Sequence, residues 1–294
     1  MNHSTGTLRL DCSVEGIHTV GKDIARIALD MPSEAVLPRP GQFYSIRCGD
    51  TTSPLLRRPL SVHRIRKERG GFGVDLLVRV VGPGTAWLCS RRPGDRLDVI
   101  GPLGNGFDLE TGEVSVLVAR GIGIAPLFAL GQALRERQPR ERLHVIAGAR
   151  LADRLFLREE LNRLGVLHTY TDDGSEGFHG RAPDLLRHLA TTGVLGKGVA
   201  VYACGPGAML REIAIVAEEN AWTGQAALEA HMGCGIGACL TCAVPLRPGA
   251  VRTGPLWPKP ALQWDAERRS VYSLICRDGP VYDLREVDWH AWCA

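Results

Sequence analysis

The 294-residue sequence has no run approaching the roughly 18 consecutive apolar residues needed to span a bilayer. Its opening stretch, MNHSTGTLRLDCSVEG, lacks the apolar centre of a secretory signal. The expectation is a cytoplasmic chain. Nor is there a block of one charge: 35 Lys and Arg against 32 Asp and Glu leave a formal charge of +3, spread along the sequence. That gives nucleic acid or an anionic membrane no electrostatic hold and favours a small molecule or another protein as partner. Internal repeats, low-complexity tracts and an even complement of cysteines are also missing. Nine cysteines is an odd number, which speaks against a closed disulfide framework, and a large cytoplasmic chain keeps its thiols reduced. Clustered cysteines then suggest metal.

What is present begins with short strands. TLRLDCSVEGIHTV, IARIALDM, QFYSIRC, PLSVHRI, GVDLLVRVV and DRLDVIG are separated by Gly, Pro and charged turns, a spacing that predicts a small antiparallel barrel. From Val114 the pattern changes to strand then helix: VSVLVA before APLFALGQALRER, LHVIAGA before LFLREELNRL, LHTYT before APDLLRHLA, and GVAVYAC before AMLREIAIVAEEN. Apolar strands alternating with amphipathic helices predict a parallel sheet covered on both faces. After Trp222 a tail rich in glycine, cysteine and proline follows. At roughly 100–200 residues per domain the length suits two or three domains. The predicted division is 1–107 for the barrel, 108–225 for the α/β domain and 226–294 for a small cysteine-bearing domain.

The tail carries the most specific pattern. MGCGIGACLTCAVP sets Cys234, Cys239 and Cys242 in a C-x4-C-x2-C run, with Cys276 downstream in LICRDGPVYD. This is the plant-type 2Fe-2S spacing. A cluster needs four converging thiolates wrapped closely by backbone N–H groups, and Gly233, Gly235 and Gly237 permit that wrapping. A structural zinc site is the competing reading, but it usually presents paired C-x2-4-C knuckles and needs no glycine-lined loop. Cys12, Cys48, Cys89 and Cys293 read as ordinary small residues.

Other signals are weaker taken singly. LLRRPLSVHRI places Arg58, Pro59, Leu60 and Ser61 at a strand start, and VRVVGPGTAWL offers Gly84 and Thr85 after another strand. Arginine can pair with phosphate and glycine lets backbone approach a diphosphate, yet a solvated arginine and a Gly-Thr turn remain open alternatives. In VSVLVARGIGIAPLFAL, Gly121 and Gly123 make a tight turn after a strand and Pro126 starts a helix, presenting N–H groups to a pyrophosphate. The third glycine of a dinucleotide fingerprint is absent. YACGPGAML puts Cys204, Gly205 and Pro206 at another strand's carboxyl end, the side where such sheets bind ligands. A helix start behind a buried cysteine is the other reading.

Together, RRPLS, GPGT, GIGIAP, CGPGAML, the cysteine tail and CRDGPVYD, in this order, resemble the ferredoxin-reductase-like flavoproteins. Within them TDDGSEGFHGRAPDLL, LEAHMGCGIGACLTC and ICRDGPVYDLREVDW resemble the electron-transfer subunit of two-subunit, NAD-dependent dihydroorotate dehydrogenase, over nearly the whole chain. The resemblance implies an FAD-binding β-barrel, a Rossmann-like NAD(P)-binding domain and a C-terminal 2Fe-2S domain. It implies that Arg58, Pro59, Leu60 and Ser61 contact FAD, with Leu77, Val78 and Arg79 on a neighbouring strand and Gly84 and Thr85 at its diphosphate. NAD(H) or NADP(H) would lie across Gly121, Gly123 and the Cys204–Gly205–Pro206 turn, and Cys234, Cys239, Cys242 and Cys276 would ligate the cluster.

The implied partner is an FMN-containing dihydroorotate dehydrogenase in a hetero-oligomer, in pyrimidine biosynthesis. No side chain need act as acid or base, since the protein binds, orients and tunes the cofactors. The small subunit of an NADH-dependent ferredoxin:NADP oxidoreductase and the reductase of an oxygenase are the alternatives; a zinc-stapled, flavin-free module is the non-enzymatic one. Two departures stand out. Ala119 and Arg120 replace glycines usual in the family, which leaves NAD against NADP open. The stretch from Cys242 to Cys276, with Trp257 and Trp264, is longer than the family's, and reads either as a partner contact or lid or as a surface excursion without a role.

Overall fold

Alternation in the first hundred residues yields six antiparallel strands: β1 (Leu8–Gly21), β2 (Ile24–Asp30), β3 (Phe43–Ile46), β4 (Arg58–Glu68), β5 (Gly71–Arg79) and β6 (Arg96–Leu103), with a helix, α1 (Pro83–Cys89), before the last. In the computed structural model, which describes residues 8–49, 51–109, 112–250, 262–263 and 271–293, they close into a barrel in the order β1-β2-β5-β4-β3-β6. Closure removes open edges, and inward side chains such as Leu10, Ile27, Tyr44, Val62 and Val99 seal its core, with Cys12 and Cys48 among them. The β4–β5 ladder ends at Val62↔Leu76. Beyond it, Arg58–Ser61 pair with β3 and Leu77–Arg79 with β2, so the two strands splay and leave a slot between them. A bulge at His63 (Val62↔Leu76 is followed by Arg64↔Asp75) turns His63 and Arg64 outward together.

The strand-then-helix pattern gives β7 (Val114–Arg120), α2 (Ile124–Arg135), β8 (Leu143–Ala149), α3 (Arg158–Leu164), β9 (Val166–Thr171), β10 (Phe178–His179), α4 (Ala182–Thr191), β11 (Val199–Cys204), α5 (Gly207–Glu219) and β12 (Thr223–Ala227). The tail adds β13 (Ala243–Leu246), β14 (Leu262–Gln263), β15 (Val271–Leu274), β16 (Val281–Asp283) and α6 (Trp289–Trp292). One sheet runs β10-β9-β8-β7-β11-β12-β16 and a smaller one β13-β15-β14. β8 and β11 are buried at every residue, as strands covered on both faces must be. Leu117 and Val145 pack with the apolar residues of α2 and α3 on one face, and Val116, Ile146 and Val201 with those of α4 and α5 on the other. Strand order reverses between β7 and β11, which is where sheets of this type bind ligands.

The modules interlock. Phe128 of α2 packs on His63 at 4.5 Å between ring centroids and lies beneath the Arg64 guanidinium at 4.9 Å. Glu160 of α3 accepts from Arg26 Nη1 at 3.0 and 3.2 Å and from Arg64. The tail does not stay apart either: β16 pairs antiparallel with β12, Gln225↔Asp283 to Ala227↔Val281, which makes it the edge of the larger sheet. Residues 251–261 and 264–270, with Trp257 and Trp264, lie outside the described residues, so the expectation for that segment falls there. Among the described residues no helix is long and apolar enough to cross a membrane.

Candidate functional site

The cysteine loop follows β12 and is built from turns. The Cys234 sulfur accepts from the backbone N–H groups of Ile236, Ala238 and Cys239 at 3.4, 3.2 and 3.4 Å. The Cys239 sulfur accepts from the Cys234 N–H at 3.4 Å and the Thr241 hydroxyl at 3.2 Å. The Cys242 sulfur accepts from the Cys276 N–H at 3.5 Å. Donors aimed at sulfur favour thiolate: the Thr241 hydroxyl and then the backbone pull Cys239 down to about 6. The Cys276 thiol does the same to Cys242, also to about 6, and is itself pushed up by that shared proton.

Gly235 and Gly237 have φ of +73° and +84°, a conformation open to glycine and strained for other residues. A Cβ on Gly233 would stand 3.1 Å from the Cys239 sulfur, and one on Gly237 3.2 Å from Arg277 Cδ. A glycine-lined loop whose N–H groups point at its own sulfurs fits an iron-sulfur cluster better than a zinc knuckle.

The loop abuts the barrel. A Cβ on Gly235 would stand 3.3 Å from the Ser45 hydroxyl and 4.0 Å from Leu103. The turn after Cys276 is tied to the barrel's end by Asn105, whose Nδ2 donates to the Asp278 carbonyl at 2.9 Å and whose N–H donates to the Gly279 carbonyl at 2.5 Å. Around the thiols Cys239 is exposed, as are Ile236 and Leu240, while Cys242 and Cys276 are buried.

On the barrel, the residues singled out from sequence border the slot. Arg58, Pro59, Leu60 and Ser61 form its β4 wall and Leu77, Val78 and Arg79 its β5 wall. Arg58 reaches across to α1: a Cβ on Gly84 would meet its guanidinium at 3.0 Å. The side chains of Leu77 and Val78 are buried, so what these residues offer the slot is backbone. Thr85 is buried, and its hydroxyl accepts from the N–H groups of Val81 and Gly82 at 3.0 and 3.2 Å. It thus holds the turn that presents Gly84.

Between slot and sheet lies a cleft of about 580 Å³ that brings together Arg79, Gly121, Gly123, Gly205 and Pro206. Arg79 Nη2 would stand 2.9 Å from a Cβ on Gly121, and a Cβ on Gly123 would strike the Cys204 carbonyl. The two glycine turns are therefore in contact. Glu229 also lines the cleft. Sequence reasoning passed over it, although LEAHMGCG, among the family-like segments, contains it. The Cys204 thiol points to Glu229 Oε1 at 3.9 Å. Burial raises the Glu229 carboxyl above its ordinary value against the opposing Arg79 charge, and burial raises the Cys204 thiol further. Both stay protonated more readily than exposed groups. Asp172 was also passed over; it accepts from Arg120 Nη1 and Nη2 at 2.7 and 2.5 Å.

A barrel slot, a switch-point cleft and a three-thiol loop beside a fourth thiol, Cys276, in one chain define a ferredoxin-reductase-like oxidoreductase that works with nicotinamide nucleotide, flavin and iron-sulfur. Residues 117–214 match the oxidoreductase NAD-binding domain family, and residues 229–253 match the iron-sulfur cluster binding domain of dihydroorotate dehydrogenase B. The chain is 39% identical over 269 residues to the dihydroorotate dehydrogenase B (NAD(+)) electron transfer subunit of Desulforamulus reducens, covering 87% of this chain and 98% of that protein. To the subunit of the same name from Bacillus cereus it is 34% identical, covering 91% and 94%. The chain belongs to the family of dihydroorotate dehydrogenase B electron transfer subunits. Among solved structures it resembles an NADH-dependent reduced ferredoxin-NADP oxidoreductase, with a TM-score of 0.77 and 28% identity over 96% of this chain and 91% of the other. It shares the fold of the Amycolatopsis cytochrome P450 reductase GcoB, at a TM-score of 0.62 and 20% identity over 74% and 68%.

Proposed function

We infer that this chain carries electrons between NAD and an FMN-containing dihydroorotate dehydrogenase, through FAD and a 2Fe-2S cluster, in cytoplasmic pyrimidine biosynthesis. Bound flavin exchanges hydride with nicotinamide and single electrons with a cluster. The protein's own residues supply position. In the module 1–107, Arg58, Pro59, Leu60, Ser61, the Leu77–Arg79 backbone, Gly84 and Thr85 hold FAD in the slot. In the module 108–225, Gly121, Gly123, Cys204, Gly205 and Pro206 receive the nucleotide. In the module 226–294, Cys234, Cys239, Cys242 and Cys276 ligate the cluster, with Thr241 and backbone donors keeping two of the sulfurs easily ionised. Ile236 and Leu240, exposed beside Cys239, give a partner apolar surface at the cluster's open side.

The observation that carries this reading is the seating of the cysteine loop on Ser45 and Leu103 at the barrel, with Cys239 exposed; a cluster on that loop would stand next to the flavin module. The experiment is to purify the chain, record its visible spectrum and assay NADH-driven dye reduction, then add the catalytic partner and follow dihydroorotate oxidation. Flavin and cluster bands, NADH-dependent dye reduction alone and dihydroorotate oxidation only with the partner are expected. A flavin-free chain, or one that oxidises dihydroorotate unaided, would refute it. A second reading, the small subunit of an NADH-dependent ferredoxin:NADP oxidoreductase, draws on the 28% identity across 96% of the chain. Co-purification with a different large subunit would favour it.

A further inference from the structure

The C-terminal helix α6 is four residues long, too short to hold itself in water, and its fixings come from elsewhere. The Trp289 indole N–H donates to the Leu284 carbonyl at 2.7 Å, and the Asp288 carboxylate accepts from the Ala291 N–H at 3.0 Å. The Asp288 N–H donates to the Pro245 carbonyl of β13 at 3.0 Å, and the Leu284 N–H to the Gly224 carbonyl of β12 at 3.0 Å. Trp289 is buried in the same core as Leu210 and Ile213 of α5.

So anchored, α6 ends against the start of α5. A Cβ on Gly207 would stand 3.3 Å from Trp292 Cδ1, Trp292 Nε1 and the Cys293 sulfur. Indole and thiol thus close over the residue that follows the Cys204–Gly205–Pro206 turn. The rest of that turn is equally close-packed: a Cβ on Gly205 would strike Met209 and lie 3.4 Å from Arg120 Cβ, and one on Gly123 would strike the Cys204 carbonyl. Gly205 and Pro206 line the cleft, whereas Trp292 meets the residue after them, outside it. The turn is therefore in contact with the glycine turn of β7 and backed by the C-terminal helix. That helix continues the segment that leaves Cys276, is tied to the barrel by Asn105 and pairs with β12 through β16.

Resting on the reading of this cleft as the nucleotide site, we propose that Trp292 is a positioning residue for flavin reduction: by backing the Gly205–Pro206 turn it fixes how the nicotinamide is presented to the flavin slot. In that step the C4–H bond of NADH breaks and its hydrogen passes with both electrons to the flavin, leaving NAD+ and the two-electron-reduced flavin. Such a transfer falls steeply with misplacement, about 10²-fold for 1 Å. The contact also makes the tail, which carries Cys276 further back, part of the support of the nucleotide site.

The test is anaerobic stopped-flow reduction of the flavin- and cluster-loaded chain by NADH, reading the NADH–flavin charge-transfer absorbance and the limiting rate at saturating NADH. Trp292→Ala should keep the flavin and cluster bands, weaken the charge-transfer absorbance and lower the limiting rate about tenfold or more. Trp292→Phe, which keeps an aromatic edge over Gly207, should restore most of both. His290→Ala, at an exposed position on the same helix, should match the wild type. Lost packing alone would lower Tm and leave band and rate unchanged, so a wild-type limiting rate in Trp292→Ala would overturn the proposal. If Trp292→Ala sheds its flavin, Gly207→Ala decides, because it presses on the same contact from α5: a slowed rate supports the proposal and a wild-type rate overturns it. Gly123→Ala separates this role from the reading beneath it. If Gly123→Ala is slow while Trp292→Ala is not, only the role of Trp292 is wrong; if both reduce at the wild-type rate, the cleft is not the nucleotide site.

Discussion

Replacing Gly123 with alanine should damage hydride delivery more than it damages the fold. The added Cβ would sit 2.8 Å from the Cys204 carbonyl carbon and 3.2 Å from the Gly205 nitrogen. Those are backbone atoms, so no side chain can swing aside. Ordinary carbon contacts lie near 3.5–4.0 Å, so the two glycine turns must separate by about 0.7–1 Å. They follow β7 and β11, which pair Ala119↔Cys204 at that end. The strain should therefore cost about 1–3 kcal/mol, a fall in Tm of about 2–10 °C.

The functional loss is larger, because a displacement near 1 Å in a positioning element costs about 10²-fold in rate. Backbone conformation adds no penalty, since φ at Gly123 is −58°. The assay is stopped-flow reduction of the flavin by NADH, with flavin and cluster absorbance as checks on integrity. Gly196→Ala, where no atom lies within 4 Å of the new Cβ, is the control and should behave as wild type. A Gly123→Ala protein that holds flavin and is reduced by NADH within threefold of the wild-type rate would refute the claim that contact between the two turns shapes the cleft.

Cys239→Ser should abolish the cluster's visible bands and electron delivery to the catalytic partner while leaving NADH-driven flavin bleaching intact; parallel loss of bleaching would show the modules to be inseparable. His63→Leu should flatten the acid side of the stability profile. His63 is buried against α2, and burial lowers its pKa from 6.5 to about 3. The unfolded chain therefore binds the extra proton between those values and the wild type loses stability as pH falls from 6.5 toward 3. The Tm advantage of the variant should widen from pH 7 to pH 5, and a constant difference would contradict the assignment. Glu160→Ala removes the acceptor shared by Arg26 and Arg64 across the barrel–sheet contact and should cost about 1–2 kcal/mol in thermal melts; no change would mean that the Phe128–His63 packing suffices.

The barrel and the parallel sheet were legible because each rests on a local period, two for strands and 3.6 for helices, which short windows of sequence display. The cysteine pattern was legible because C-x4-C-x2-C is contiguous and glycine-lined. What escaped depends on contacts between distant segments. Glu229 matters because it lies against Cys204, 25 positions away, and Asp172 because β7 and β9 flank β8 and bring it to Arg120. Both were inside segments quoted for their family likeness, yet nothing about a lone acid distinguishes a cleft wall from a solvated charge. Thr85 carries a contact that no sequence pattern displays: its hydroxyl fastens the Val81–Gly82 turn that presents Gly84. His63 escaped because a bulge, invisible to alternation, aims it at α2.

The return of β16 to the nucleotide sheet changes what the tail can be. Cys276 sits between β15, in the small sheet, and β16, hydrogen-bonded to β12. The segment from Cys276 to β16 is also fastened to the barrel through Asn105. One short stretch thus touches all three modules, and a ligand held jointly by Cys242 and Cys276 would brace barrel, sheet and loop against one another. Cys234 and Cys239, by contrast, are held by their own loop's N–H groups and Thr241. Loss of Cys239 should accordingly stay local, whereas loss of Cys276 should lower Tm and slow flavin reduction together, because it loosens the contact that sets the cleft against the slot. Comparing the two serine variants by melting and by NADH-driven bleaching distinguishes a cluster that is only a wire from one that is also a structural tie; equal effects at the two positions would remove the second role.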